Sequence, residues 1–395
     1  MRKVSFGLAV GFMLVAACGG EEKPPVTPTP APTTTATPAP TTTTTAEAPK
    51  EEPKKSFAEM AAATMKGYPE ALNSGDAKKV ASFYTDSAVV KFAGMPDLTG
   101  RDAIQSMWEK NFAAFSKSKS NASRVFSKGN IVIVEWVWAA TNTGEMMGMK
   151  ATEKPVGVNG ADVMWLDESN GLIKEQHTYM DMGTIMSQLG VSKQKARPVA
   201  TVPSGMPQMF DSKGTPDEAK NTDAFKAETA ALENKKEADF LANIADNAEY
   251  DDYTQPQTMK GKADAKKFLK EMNTGFPDAK FNIANTWAFG DFVISEGTMT
   301  GTQKGSFFGI PATKKSVTVH NLDIQQFKDG KMVKGWSYGN GAEMAMQLGL
   351  MPKPGEGKPG DKGAAAKPGD KPATAAKPGD KPATPATTAK PADKK

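Results

Sequence analysis

Along residues 56–350 the chain switches between two hydrophobic periods. Phe57, Met60, Ala61, Thr64, Met65, Tyr68 and Leu72 recur at helical spacing, which predicts an amphipathic helix. A second short helix is expected over 76–84. A third follows Gly100, starting near Asp102 and carrying Ile104, Met107 and Trp108. Beyond it the period drops to two. Strands are expected over 121–128 and 131–141 around the turn Gly129-Asn130, and over 156–167 and 172–180 around Asn170-Gly171. A last helix over 184–189 stops at Gly190. Helices followed by long antiparallel strands predict an α+β domain, a curved antiparallel-rich sheet wrapped by helices into a cone-shaped barrel with an apolar interior.

The pattern is written twice. A shift of 161 residues aligns Gly100 with Gly261, Gly129 with Gly290, Val132-Ile133 with Val293-Ile294, Glu135 with Glu296 and Asp162 with Asp323. After two extra residues in one turn, a shift of 159 aligns Gly171 with Gly330, Tyr179 with Tyr338 and Gln188-Leu189-Gly190 with Gln347-Leu348-Gly349. The expected organisation is two tandem copies, 56–192 and 216–352, joined by a linker over 193–215 that holds Pro198, Pro203 and Pro207. The two sheets are expected to face each other, because apolar faces such as Val132, Val134, Trp136 and Trp138 need covering. This pairing is expected within one chain or, alternatively, between chains as a homodimer.

Composition changes the picture only at the ends. The 38% hydrophobic share is diluted by low-complexity tracts. Residues 353–395 form a Lys/Pro/Ala/Gly-rich tail expected to be disordered, with Lys-Pro-Gly-Asp-Lys beginning at Lys358, Lys367 and Lys377. The tail and Arg2-Lys3 carry the positive charge, and 4–350 is close to neutral, so nothing there asks for nucleic acid. One cysteine excludes an intrachain disulfide, and with only two histidines besides it a structural zinc site is excluded too. Residues 1–17 read as a signal peptide, with a positive start and a short apolar run. Val15-Ala16-Ala17-Cys18 resembles a bacterial lipobox, which implies lipid attachment at Cys18 and a membrane anchor. Gly19 rather than Asp favours the outer membrane, with the side of that membrane left open. The Pro/Thr-rich linker over 18–55 is expected to stay extended.

The second copy carries a recognisable series of motifs: Phe276-Pro277-Asp278, Gly301-Thr302, Gly309-Ile310-Pro311-Ala312-Thr313, Phe327-Lys328-Asp329-Gly330, Trp336-Ser337-Tyr338 and Gln347-Leu348-Gly349-Leu350. These resemble the SnoaL-like polyketide cyclase family of the nuclear transport factor 2-like superfamily. The first copy is a divergent version. The resemblance implies a cone-shaped α+β barrel, often paired through its sheet, and a ring-closing aldol step without metal or cofactor. It also places an acidic residue four positions after the tryptophan of the last strand. In the second copy that position is Asn340, which cannot act as a base. In the first copy it is Asp181, with His177 standing where the tryptophan would be.

Other candidate chemistry rests on residue type and spacing. Glu135 and Glu296 could face a cone interior as bases, or sit at a solvent or domain interface. Asp323 lies three residues after His320, so a bulge could bring both to one pocket; a hairpin hydrogen bond is the plainer reading. Asp181 and His177, four residues apart, could share a strand face and a cavity, or Asp181 could cap the helix near Thr184. Asp251 and Asp252 could form a polar patch or a solvated loop. Trp136, Trp138, Trp165, Trp287, Trp336, Tyr250 and Tyr338 are the aromatic candidates for lining a pocket, with core packing as the alternative. Three functions follow: a non-catalytic module binding a small apolar or aromatic ligand or a partner; a cofactor-independent cyclase- or isomerase-like enzyme; and a structural pseudo-dimer.

Overall fold

The computed structural model describes residues 55–192, 195 and 197–351. The expected signal peptide over 1–17, Cys18 and the tail over 353–395 therefore lie outside the described residues. The first domain runs α1 (Phe57–Ser74), α2 (Ala77–Ala81), β1 (Tyr84–Phe92), β2 (Leu98–Thr99), α3 (Arg101–Ala114), β3 (Phe115–Lys128), β4 (Ile131–Asn142), β5 (Pro155–Leu166), β6 (Ile173–Met180) and α4 (Met182–Gln188). A linker strand, β7 (Gln208–Asp211), follows. The second domain repeats the series as α5 (Pro216–Glu233), α6 (Glu237–Ala242), β8 (Ile244–Asp252), β9 (Met259–Lys260), α7 (Gly261–Gly275), β10 (Lys280–Phe289), β11 (Phe292–Thr302), β12 (Ser316–Lys328), β13 (Lys331–Gly339) and α8 (Gly341–Gln347).

The sheet orders are β2-β1-β6-β5-β4-β3-β7 and β10-β11-β12-β13-β8-β9, so the two domains share one topology. Pairing is antiparallel except for β1 with β6, β13 with β8 and β3 with β7. The long opening helices begin at oxygen caps: Ser56 and Glu59 form a reciprocal capping box on α1, and Thr215 with Pro216 starts α5. The linker is more than a spacer, because β7 pairs with the outer edge of β3 from Arg124↔Gln208 to Ser127↔Asp211. Phe210 of that strand lies 5.0 Å from the Phe126 ring and 4.7 Å from Phe292.

Each sheet has two buried faces. Val132, Val134 and Trp136 of β4 point toward α1 and α3, together with Tyr68, Ile104, Met164 and Leu166. Trp136 and Trp138 continue that inner face toward α4. The opposite parity faces the other domain: Phe126, Ile133, Ala161, Val163 and Tyr179 pack against Trp287, Phe289, Phe292, Ile294, Leu322, Ile324 and Tyr338. The sheets do pack together, but Val132, Val134, Trp136 and Trp138 are covered by their own helices, and the alternate residues meet the second domain. One step of strand parity moves a whole side-chain set to the other face. Full burial of a large aliphatic or aromatic side chain is worth roughly 1.5–3 kcal/mol, so twelve buried residues make this a core rather than a passing contact.

Candidate functional site

The domain interface brings together many of the residues singled out by sequence, in two halves that mirror one another. In the first half Glu135 on β4 accepts from Tyr338 of the second domain and from Arg124 Nη2 at 2.7 Å, with Arg124 Nε paired to its other oxygen. Arg124 also lies over the Trp336 ring, 3.6 Å from its centroid. Burial pushes the Glu135 carboxyl above its ordinary range even though Arg124 opposes it. In the second half Glu296 on β11 accepts from Tyr179 of the first domain at 2.9 Å and from Asn285 Nδ2 at 2.6 Å. His177 sits between two carboxylates, Nδ1 3.1 Å from Glu296 and Nε2 2.9 Å from Glu175, and packs 4.6 Å from Trp165. Burial pulls the His177 imidazole down, but the bonds to Glu296 and Glu175 outweigh it and leave its pKa raised. For Glu296 burial pushes up, and His177, Asn285 and Tyr179 outweigh it and hold the carboxyl below its ordinary range. Trp165 and Trp287 meet across the same interface at 6.2 Å.

Asp181 and Asn340, the positions of the expected acid, are the caps of α4 and α8. Asp181 Oδ1 accepts from Gly183 N at 3.0 Å and, across the interface, from Gly341 N at 2.9 Å. Its Oδ2 accepts from Thr184 N at 2.8 Å and Thr184 Oγ1 at 2.7 Å. A carboxylate offers about four acceptor sites, and here all are taken. Burial still raises the Asp181 pKa, against those four bonds. Asn340 reciprocates: Oδ1 accepts from Ala342 N and from Met182 N of the first domain, and Nδ2 donates to Ala93 O at 2.8 Å. His177 faces Glu296 and does not line the groove beside Asp181, so the two do not share that cavity.

That groove, about 330 Å³, lies under the linker. Its walls include Val158, Asn159, Asp181, Arg197, Tyr253 and Pro256. Arg197 ties the linker down, with Nη1 2.9 Å from Asp251 Oδ1, Nε donating to Gln255 O at 2.8 Å, and its guanidinium 4.9 Å from the Tyr253 ring centroid. None of the seven aromatic candidates lines it; Tyr253 does.

The cone interiors hold the remaining acids. In the first, Asp162 is buried beside Thr178, Gln176 and Trp136, and burial pushes its pKa up to about 7. The indole N–H of Trp136 lies beside the Asp162 carboxyl and that of Trp108 beside the Tyr84 hydroxyl, both short of full hydrogen-bond geometry. Tyr68 and Tyr84 share a hydroxyl bond at 2.9 Å, and Tyr84 donates to Gln176 at 2.6 Å. Gly160 makes room for the Trp136 ring, since a Cβ there would fall 2.2 Å from it. In the second cone Asp323 accepts from Tyr250 and from Asn321 Nδ2, both at 2.6 Å, and burial raises its pKa. Glu228 on α5 is pushed up to about 8, first by burial and then by the Asp323 charge. Asp252, expected in a solvated loop or polar patch, ends β8 partly buried, accepts from Thr254 N and Oγ1 at 2.9 and 2.7 Å, and is pushed up to about 6 by burial. Gly335 admits the Tyr250 ring as Gly160 admits Trp136.

His320 and Asp323 do not converge. The β11–β12 register runs unbroken from Phe292↔Gln326 to Thr302↔Ser316, with no bulge between them, so they take opposite faces. His320 is exposed and pairs with Glu343 at 2.7 Å, which raises its pKa against the opposing effect of partial burial. Trp138 donates to Ser118 Oγ at 2.8 Å. Glu228 carried no motif in the sequence; its one signal is an acid on the apolar face of a helix, in line with Phe225 and Ala231. Among the described residues no group of three His, Cys, Asp or Glu is placed to hold a metal ion.

The family model described as SnoaL-like polyketide cyclase matches residues 62–189 and 222–348. Among solved structures, a protein assigned as a SnoaL-like polyketide cyclase from Jannaschia sp. CCS1 is 19% identical, with 36% of this chain and 99% of that one covered and a TM-score of 0.33. A protein with a ketosteroid isomerase-like fold from Catenulispora acidiphila is 17% identical over 32% of this chain and 93% of its own, TM-score 0.29. An LEH-like epoxide hydrolase of M. tuberculosis is 18% identical over 34% and 93%, TM-score 0.29. No curated protein matches the chain. Matched once in each domain and over more than half of its length, the chain belongs to the SnoaL-like polyketide cyclase family.

Proposed function

We propose that this chain is a non-catalytic member of its family, a paired binding module held at the cell envelope by lipid on Cys18. The observation that carries this reading is Asp181: all four of its acceptor positions are engaged by Gly183, Thr184 and Gly341, and the matching position in the second domain is Asn340. A general base needs a free lone pair within reach of the proton it takes. Beside Asp181 the groove under Arg197 stays open to solvent, and its volume is at the small end of ligand sites. Tyr253, Val158 and Pro256 offer apolar contact there, and Asn159 offers a polar one. The bound class is a small, partly aromatic molecule.

The test has two arms. 1-Naphthol titrated into the protein and followed by ligand-observed NMR should bind, and Tyr253→Ala should weaken it at least tenfold. Aryl esters and enolisable β-keto esters should not turn over above buffer. Turnover that Asp181→Asn abolishes sinks the proposal. The anchor is tested separately, because Cys18→Ser should move the protein from the membrane to the soluble fraction.

A second reading has one specific observation behind it. Asp162 is a buried acid near neutrality, in a cone that also holds tyrosine hydroxyls. A carboxylic acid kept protonated in an apolar site can donate to a developing enolate. Deuterium exchange into a small cyclic ketone, lost in Asp162→Asn and retained in Asp181→Asn, would favour an isomerase-like enzyme over the binding module.

A further inference from the structure

The inner face of the first domain ends, near α4, in a methionine cluster. Met146 and Met186 are buried, and Met147, Met149, Met180 and Met182 are partly buried against them. Three local features bring these six side chains into one cluster. Met146 and Met149 exchange both backbone hydrogen bonds, at 3.0 and 2.9 Å, across a tight turn that passes through Met147 and Gly148. Met182 and Met186 are four apart on α4 and share a helix face. Met180 ends β6, the strand that leads into that helix.

The second domain fills the same end differently. The positions matching these six are Phe307, Phe308, Ile310, Gly339, Gly341 and Ala345. Its own cluster has Met272, Met299 and Met344, interleaved with phenylalanines including Phe276 and Phe307. The second domain thus closes this end with three methionines set among phenylalanines at other positions, whereas the first domain places sulfur at all six of these positions, where its twin has none.

We infer that the methionine cluster of the first domain is a binding site for a soft monovalent cation, Cu(I) or Ag(I). Thioethers select soft metals. They are also neutral ligands, so nothing in the set compensates a second positive charge, and burying a divalent ion here would be far more costly than burying a monovalent one. Met147, Met149, Met180 and Met182, which are only partly buried, give the ion a path inward to the buried Met146 and Met186. The Asp181 carboxylate between Met180 and Met182 is fully engaged by backbone and Thr184, so it takes no part.

The test uses the full chain with Cys18→Ser in every arm, which removes the one competing thiol. The protein is labelled at the methionine methyl carbons, titrated with silver nitrate and read by NMR. The expected result is a saturable shift at one equivalent confined to the cluster. Met206 and Met209, 94% and 64% exposed, should be unmoved. Cu(I) held against a chromophoric chelator under anaerobic conditions should be retained at least tenfold more weakly after Met146→Leu with Met149→Leu, and again after Met182→Leu with Met186→Leu. Leucine conserves the volume, and the separate pairs keep the test informative if one variant folds poorly. The inference is overturned if the cluster methyls do not move, if Met206 and Met209 respond as readily, or if both leucine pairs hold Cu(I) as the parent does. Any of those results would leave the methionines as core filler.

Discussion

The two halves of the domain interface are copies of one arrangement, and they differ in one choice of cation. Each has a glutamate on the strand after the first long hairpin turn, Glu135 or Glu296, and each glutamate accepts from a tyrosine of the other domain. Around Glu135 the neighbouring positions hold Arg124 and Trp336, a permanent charge stacked on an indole. Around Glu296 the matching positions hold Asn285 and His177, an amide and a titratable ring. Both carboxylates are almost fully buried, yet their pKa values move in opposite directions. Burial pushes both carboxyls up; at Glu296 the bonds from His177, Asn285 and Tyr179 outweigh it, whereas at Glu135 burial prevails over Arg124 and Tyr338. A duplicated interface has thus become asymmetric in how it responds to pH.

The largest effect should come from removing the permanent charge. Arg124→Leu leaves Glu135 buried without its cation and should cost about 3–5 kcal/mol in chemical denaturation. Adding Glu135→Gln should restore much of that loss, and a double variant as unstable as the single one would break the comparison. Next is the titratable half. His177→Gln should cost about 1.5–3 kcal/mol near pH 6 and should flatten the pH dependence. The sign follows from the two shifts. The raised pKa of His177 gives stability that is fully present below its ordinary 6.5 and is lost as pH rises through the higher folded value. The lowered pKa of Glu296 gives stability present above its ordinary 4.5 and lost as pH falls through the lower folded value. The wild type should therefore weaken on the alkaline side of 6.5 and the variant should not, as read by melting temperature across pH 5–9.

A smaller effect, about 1–3 kcal/mol, is expected for Tyr179→Phe, which strips one donor from Glu296 and can be read in the same denaturation experiment. Because that half depends on His177, the loss should be greater at pH 8 than at pH 6, while Tyr338→Phe should show no such difference in that interval. The smallest effect should be Asp181→Ala at the crossed caps. Losing a helix cap costs about 1 kcal/mol. A change of that size in melting, with no change in any turnover, sharpens the reading of Asp181 as a structural residue.

Much of this molecule was legible beforehand because it is periodic. The repeat, the helix starts, the hairpin turns at Gly129 and Gly290 and the α+β class all come from local spacing and turn chemistry. The positions of Glu135, Tyr179, Glu296 and Tyr338 were legible as matched pairs. That Glu135 bonds Tyr338, 203 residues away, was not. Asp162 could be aligned with Asp323, yet neither its burial nor its neutral-range pKa follows from alignment. Glu228 gave only the faint sign of an acid on an apolar helix face.

The sequence by itself determined that there are two copies of one α+β domain, that the second lacks the expected acid, and that a proline-bearing linker joins them. Local hydrogen bonding and side-chain period carry that information, and both are properties of neighbouring residues. Only the tertiary structure decided which face of each sheet is shared, because alternation defines two faces without saying which one meets helices and which meets another domain. Only it showed Asp181 held by four donors, one of them Gly341 of the other domain, since the availability of a carboxylate depends on what surrounds it in space.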